Sequence, residues 1–210
     1  LRAASFLLPG VARVQAQIKP YADAWQASNK RALTDAGPLW VVMGDSMSQG
    51  IGATAYDHGW VGQLRDYFAA QGIHYRVVNL SVTGSRVEDV LGRQLPVLQT
   101  LPAPALVTVL VGANNMVKTK YQTTLLHDLQ QLLVQLPEGT IIGSITGNNA
   151  ISAAANNLIR QTVATRHFKV ADMSKAFRPP VRPKVASDHF HPNDVGYREI
   201  AEVFKEAIDQ

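Results

Sequence analysis

What most constrains this chain is a rhythm. From residue 39 onward, apolar runs of strand length alternate with segments that carry apolar residues at helical spacing. The runs occupy 39–43, 75–80, 105–111, 140–145 and 168–173. They are short and nearly continuous in their apolar character, the pattern of strands covered on both faces. Between them, 60–71, 87–101, 121–136, 151–167 and 193–208 read as amphipathic helices. In 121–136, for instance, Leu125, Leu129, Leu132, Leu133 and Leu136 fall on one face, whereas 87–101 should be broken at Pro96. Such alternation predicts a parallel sheet with helices on both faces. Five strands make one three-layer α/β/α domain, and 210 residues are enough to give it a core.

Residues 1–38 stand outside the rhythm. A helical segment over 11–33 puts Val14, Ile18, Tyr21, Trp25 and Leu33 near one face. Pro20 should kink or split it, and Gly37-Pro38 should end it. Residues 1–10 carry one Arg and a short apolar run, resembling either the tail of a signal or anchor segment or a lead-in that packs on the domain. The expected organisation is a helical extension, 1–38, and a sheet domain, 39–210. Whether the extension packs on the domain, forms a stalk or dimerises is left open, and so is the oligomeric state. For the compartment, the cytoplasm is favoured over an extracytoplasmic location reached through a lost signal or anchor.

Composition removes several classes of function. The chain has no cysteine, which excludes disulfides, thiolate metal ligands and a cysteine nucleophile. Its net charge of +4 is scattered, without the dense basic run expected of a nucleic-acid partner. No stretch of roughly 18 apolar residues exists to span a membrane.

In parallel sheets, functional groups gather in the loops beyond the carboxyl ends of the strands. Here those positions hold Gly44-Asp45-Ser46, Ser81-Val82-Thr83-Gly84-Ser85, Gly112-Ala113-Asn114-Asn115 and Thr146-Gly147-Asn148-Asn149, and the last connection leads to Asp188-His189-Phe190-His191-Pro192. A serine nucleophile needs a base, a group that orients the base, and donors for an oxyanion. Ser46 follows a buried strand, and glycines at 44, 50 and 52 permit a tight turn around it. Taken alone it reads better as a helix cap. Asp188 lies three residues before His191, close enough in a loop to reach the imidazole Nδ1 and leave Nε2 free as a base. His189 is the alternative histidine, although Asp188 would have to fold back sharply to orient it. Gly84 offers a backbone N–H and Asn114 a side-chain amide for the oxyanion, against a simple turn and an Asx-turn as the plainer accounts.

These residues carry a resemblance. Gly44-Asp45-Ser46 with Gly50 is similar to block I of the SGNH (GDSL-type) hydrolases, Gly84 to the block II glycine, Gly112-Ala113-Asn114-Asn115 to the Gly-x-Asn-Asp of block III, and Asp188-His189-Phe190-His191-Pro192 to the Asp-x-x-His of block V. The blocks occur in the family's order, from about residue 39 to the C-terminus. The resemblance implies a flavodoxin-like fold with a central five-stranded parallel sheet and hydrolysis of esters or thioesters without metal or other cofactor. It implies Ser46, Asp188 and His191 as the catalytic triad, and Ser46, Gly84 and Asn114 as the oxyanion hole. Asn115 departs from the family's Asp.

The partner expected is a small-molecule ester, with a short acyl group favoured because the block III loop is brief and the site should be open. Asp45, Asn115 and Met116 are candidate substrate contacts, and Trp60, Val117 and Tyr121 are candidate liners of an acyl pocket. A thioesterase or lysophospholipase acting on longer chains is the alternative within catalysis. A carbohydrate- or ligand-binding domain is the alternative outside it. A metal site built from Asp188, His189, His191 and Asp194 is a further rival. Catalysis by a histidine base requires the rate to rise from acid to neutral pH as the imidazole loses its proton.

Overall fold

The computed structural model describes residues 9–210, so most of the apolar lead-in lies outside the described residues. Two helices open it, α1 (Pro9–Gln15) and α2 (Ile18–Ala32). The sequence predicts a break at Pro20, but the break falls at residues 16–17. Pro20 instead sits in the first turn of α2, where a missing N–H leaves no intrahelical bond unmade.

The sheet consists of β1 (Leu39–Gly44), β2 (Arg76–Asn79), β3 (Leu106–Leu110), β4 (Ile141–Gly143) and β5 (Lys169–Ala171). Its order is β2-β1-β3-β4-β5, and every pairing is parallel. The main helices between and after the strands are α3 (Trp60–Ala70), α4 (Val87–Asp89), α5 (Leu95–Thr100), α6 (Ala113–Met116), α7 (Leu125–Gln135), α8 (Ala150–Arg166), α9 (Met173–Ala176) and α10 (Asp194–Ile208). Pro96 does not break its helix. Five π-helical residues, Val90–Gln94, join α4 to α5, and the Leu95 N–H already reaches back to the Val90 carbonyl. Pro96 therefore falls in the first turn of a new register.

Every residue of β1 is buried, and alternate side chains feed two cores. Leu39, Val41 and Met43 pack with Val87, Leu95, Leu129, Leu132 and Ile159 on one face. Trp40 and Val42 pack with Leu64, Tyr197, Ile200 and Phe204 on the other. Trp60, a candidate pocket liner from its place in the sequence, is fully buried here and stacks on Phe204 with ring centroids 4.1 Å apart.

The N-terminal helices pack on the sheet domain. Along α2 and the residue before it, side chains four apart reach successive backbone groups of the loop beyond β1 and of the last residue of β2. Gln17 donates to the Ala53 carbonyl and accepts from the Gly52 N–H, at 2.9 and 2.8 Å. The Tyr21 hydroxyl donates to the same Ala53 carbonyl at 2.8 Å, and the Trp25 indole to the Gln49 carbonyl at 3.1 Å. Asn29 clasps the N–H and C=O of Asn79, both at 2.8 Å. One helix face is thereby fastened beside the Ser46 loop.

Candidate active site

The chain runs from β1 to β2 on one side and then returns to place β3 on the other. The crevice at the carboxyl ends of β1 and β3 is a topological switch point. Ser46 and Asn114 leave the sheet there. Gly44 is paired with Leu110 at the end of the ladder, and a Cβ on Gly44 would sit 2.3 Å from the Leu110 carbonyl oxygen. The Ser46 loop then curls so that the Ile51 N–H donates to the Ser46 carbonyl at 3.0 Å.

The histidine comes from the loop before α10. That loop is closed by an antiparallel bridge between Val185 and Pro192 and by the Ala186 N–H donating to the His191 carbonyl at 2.8 Å. Within it, Asp188 Oδ1 accepts from the N–H groups of Phe190 and His191, each at 3.0 Å. Its Oδ2 lies 2.6 Å from His191 Nδ1, and His191 Nε2 lies 3.0 Å from Ser46 Oγ. Burial alone would raise the Asp188 carboxyl, but the bond from the His191 ring and the two backbone donors outweigh it, leaving its pKa below the usual carboxylate value. His189 is exposed at a φ of 57°, on the far side of the turn. Gly52 lets the two loops meet, because a Cβ there would come within 2.4 Å of the Pro192 carbonyl oxygen and 2.8 Å of His191 Cβ.

Gly84 adopts a φ of +85°, and the space where its Cβ would stand is open. Among the described residues, neither its N–H nor that of Ser46 donates to a protein acceptor. The Asn114 amide donates to the Ser85 carbonyl at 2.9 Å and, less closely, to Asp45 Oδ2 at 3.3 Å. Asp45 Oδ1 accepts from the Met47 N–H at 3.0 Å. Burial nevertheless pushes the Asp45 carboxyl up to about 7, with the Met47 bond opposing it.

Two expected substrate contacts line neither cavity beside Ser46. Asn115 is fully buried. It accepts from the Val87 N–H at 3.1 Å and donates to the Tyr121 carbonyl at 2.8 Å and to Glu88 at 3.1 Å. An ionised aspartate there could accept from Val87 but could not donate to Tyr121 or Glu88. Met116 packs on the core and against Gly147 rather than lining either cavity beside Ser46. Asp45 does line one of them. Tyr121 lies beneath the Arg86 guanidinium, 4.4 Å away, in a groove that meets the site at Gly84 and Asn114. The expected metal donors do not converge: Asp194 is engaged by the N–H and hydroxyl of Thr54, at 2.8 and 2.6 Å.

Two positioning residues escaped the sequence reading. Gln94 is buried and clamps both the N–H and the C=O of Gly44, each at 2.8 Å, which fixes the strand end that carries Ser46. Gln49 accepts from the Thr83 N–H at 2.9 Å, tying the Ser46 loop to the Gly84 loop. The signal for Gln94 was its place on the apolar face shared by Val87, Val90 and Leu98.

Ser46 faces two spaces. A cavity of about 130 Å³ is lined by Asp45, Met47, Ala113, Thr146 and Phe177. A larger cleft, of about 400 Å³, opens toward the N-terminal helices, and Ser46, Asn114, Phe190 and His191 border both.

Fold and site together define a class of protein: an α/β chain with a serine, a histidine and an aspartate hydrogen-bonded in series at the switch point of a parallel sheet. The chain belongs to the GDSL-like Lipase/Acylhydrolase family, whose model matches residues 42–199, and that family is one of carboxylic ester hydrolases. It is similar to Esterase TesA of Pseudomonas aeruginosa, with 39% identity over 80 residues. That match spans 38% of this chain and 39% of the relative. A crystal structure of TesA superimposes with a TM-score of 0.65 at 23% identity, covering 81% of this chain and 97% of the other. The psychrotrophic esterase EstA from Pseudoalteromonas sp. gives 0.62 at 21% identity, covering 81% and 96%. At these identities the structures establish the shared five-stranded fold.

Proposed function

We propose that this chain is a serine esterase that cleaves carboxylic esters of small acyl groups, acetyl or short-chain. Ser46 is the nucleophile, His191 the general base, and Asp188 the group that orients the base. The observation carrying this reading is the unbroken hydrogen-bond chain from Asp188 through His191 to Ser46 Oγ. Ser46 Oγ adds to the substrate's carbonyl carbon as its proton passes to His191 Nε2. The carbonyl oxygen becomes an oxyanion held by the N–H groups of Ser46 and Gly84 and by the Asn114 amide; one such donor contributes about 10²–10³ in rate. Asn114 reaches it by giving up the longer of its two bonds, the one to Asp45. The intermediate collapses, and the alkoxide leaves with the proton from His191. Water, deprotonated by the same imidazole, then releases the acid and restores Ser46. The cavity of about 130 Å³ supports a short acyl group beside the nucleophile.

The test is hydrolysis of p-nitrophenyl acetate by the wild-type chain and by Ser46→Ala, with folding checked by circular dichroism. Turnover should vanish in a folded Ser46→Ala protein. Equal turnover in the two would sink the serine mechanism.

A further inference from the structure

We propose that the N-terminal helices are part of the substrate site: α1 and the start of α2 wall a cleft that holds the hydrocarbon chain of the ester. The inference rests on the esterase reading. The cleft of about 400 Å³ lies within the range of small-molecule sites, about 300–1,000 Å³. Val11, Val14 and Ile18 line it from the helices, and Ile51, Val117 and Phe190 from the sheet domain. The first three are three and four residues apart, so one apolar stripe continues across the break between α1 and α2. Ser46, Gly84, Asn114 and His191 border the same cleft, making it continuous with the reacting atoms.

Its chemistry suits a hydrocarbon. Among the described residues, and apart from the groups of the reaction itself, Gln15 and Thr83 are its polar liners. Val117 and Phe190 remain 55% and 56% exposed at its edge, apolar surface that a bound chain would take out of water. The wall is also preformed. Gln17 and Tyr21 bind the backbone at 52–53, and the Ser187 hydroxyl donates to the Gly10 carbonyl at 3.2 Å. Gly10 is packed so closely that a Cβ would fall 2.0 Å from the Ser187 carbonyl oxygen. The family match begins at residue 42, so this wall lies outside the matched residues.

The chain in the cleft belongs to either half of the ester, and two substrate series separate them. One is p-nitrophenyl esters from acetate to octanoate; the other is n-alkyl acetates from ethyl to octyl, followed by acid release. In one series the wild-type kcat/KM should climb by up to about fourfold for each of the first added methylenes, the equivalent of about 0.8 kcal/mol. A rise along the acetates seats the alcohol chain in the cleft and keeps the acyl group in the smaller cavity. A rise along the p-nitrophenyl esters seats the acyl chain there and displaces the short-acyl assignment. Val11→Ser/Ile18→Ser should lower the longest-to-shortest ratio of kcat/KM about tenfold. Val134→Ser, an exposed position on α7, should leave that ratio as it is. The proposal is overturned by a flat chain-length profile in both series while acetate hydrolysis still depends on Ser46, or by a double variant that lowers every ester by one factor. Activity that survives in Ser46→Ala overturns the esterase reading and this inference together.

Discussion

Asp45 precedes Ser46 in the chain, and Asp188 reaches it through His191; the surroundings of these two carboxylates push them in opposite directions. Asp188, held below the ordinary carboxylate value, contributes stability at neutral pH that is lost as pH falls through its lowered pKa. Asp45 is the reverse. Between the ordinary value of 3.8 and about 7, the native state keeps a proton that the unfolded chain has released, so stability declines as pH rises across that window. Asp45→Asn removes this dependence. Its melting temperature relative to the wild type should be higher at pH 8 than at pH 5, as read by thermal unfolding at both. An unchanged difference would mean that the native carboxyl ionises in the ordinary range. At this scale the sequence offered Ser46, Asp188 and His191 as candidates, because the chemistry of each residue type limits what it can do, and the structure brings the three within hydrogen-bonding distance. Proximity in the chain to Asn114 suggested Asn115 and Met116 for the site, whereas Asn115 is fully buried and Met116, partly buried, packs against the core.

The elements show why the site is stiff. Gln94 lies in the π-helical turn between α4 and α5 and satisfies both polar groups of Gly44. Gln94→Leu would leave the buried Gly44 N–H unpaired, at a cost of about 1–3 kcal/mol, while the Gly44 C=O keeps its bond from the Val82 N–H at 3.2 Å. Urea unfolding should show a loss of about 1–3 kcal/mol, with turnover falling as the end of β1 loosens. A loss within experimental error would show that Gly44 finds other partners. Strands and helices were legible because short continuous apolar runs and 3.6-residue patterns are local properties of the sequence. The fate of the prolines was not. Pro20 and Pro96 were read as breaks, but each occupies a first turn, and where a turn begins depends on packing against the sheet.

Across the whole molecule, two apolar layers clamp one sheet, and the loops they hold together compose the site. The stacked pair of Trp60 on α3 and Phe204 on α10 ties the first helix after β1 to the last helix of the chain. Phe204 is fully buried. Phe204→Ala should therefore cost about 3–5 kcal/mol in chemical denaturation, the range for emptying a large aromatic site in a close-packed core. A cost below about 1 kcal/mol would mean that α10 repacks freely. Because α10 follows directly on the His191 loop, activity should be lost in the same transition.

By itself the sequence determined the class of fold and the chemistry on offer. Alternating strand and helix patterns admit few architectures, and a serine, an Asp-x-x-His segment, a glycine and an asparagine at successive strand ends restrict the reaction. Only the tertiary structure decided which histidine faces Ser46, that Asn115 fastens a loop, and that Gln49 and Gln94 brace the serine. It also decided that the N-terminal helices stand against the site. Their row of side chains at four-residue spacing was visible in the sequence, but the backbone groups they bind lie 24 to 50 residues further on, and no local pattern encodes a contact over that separation.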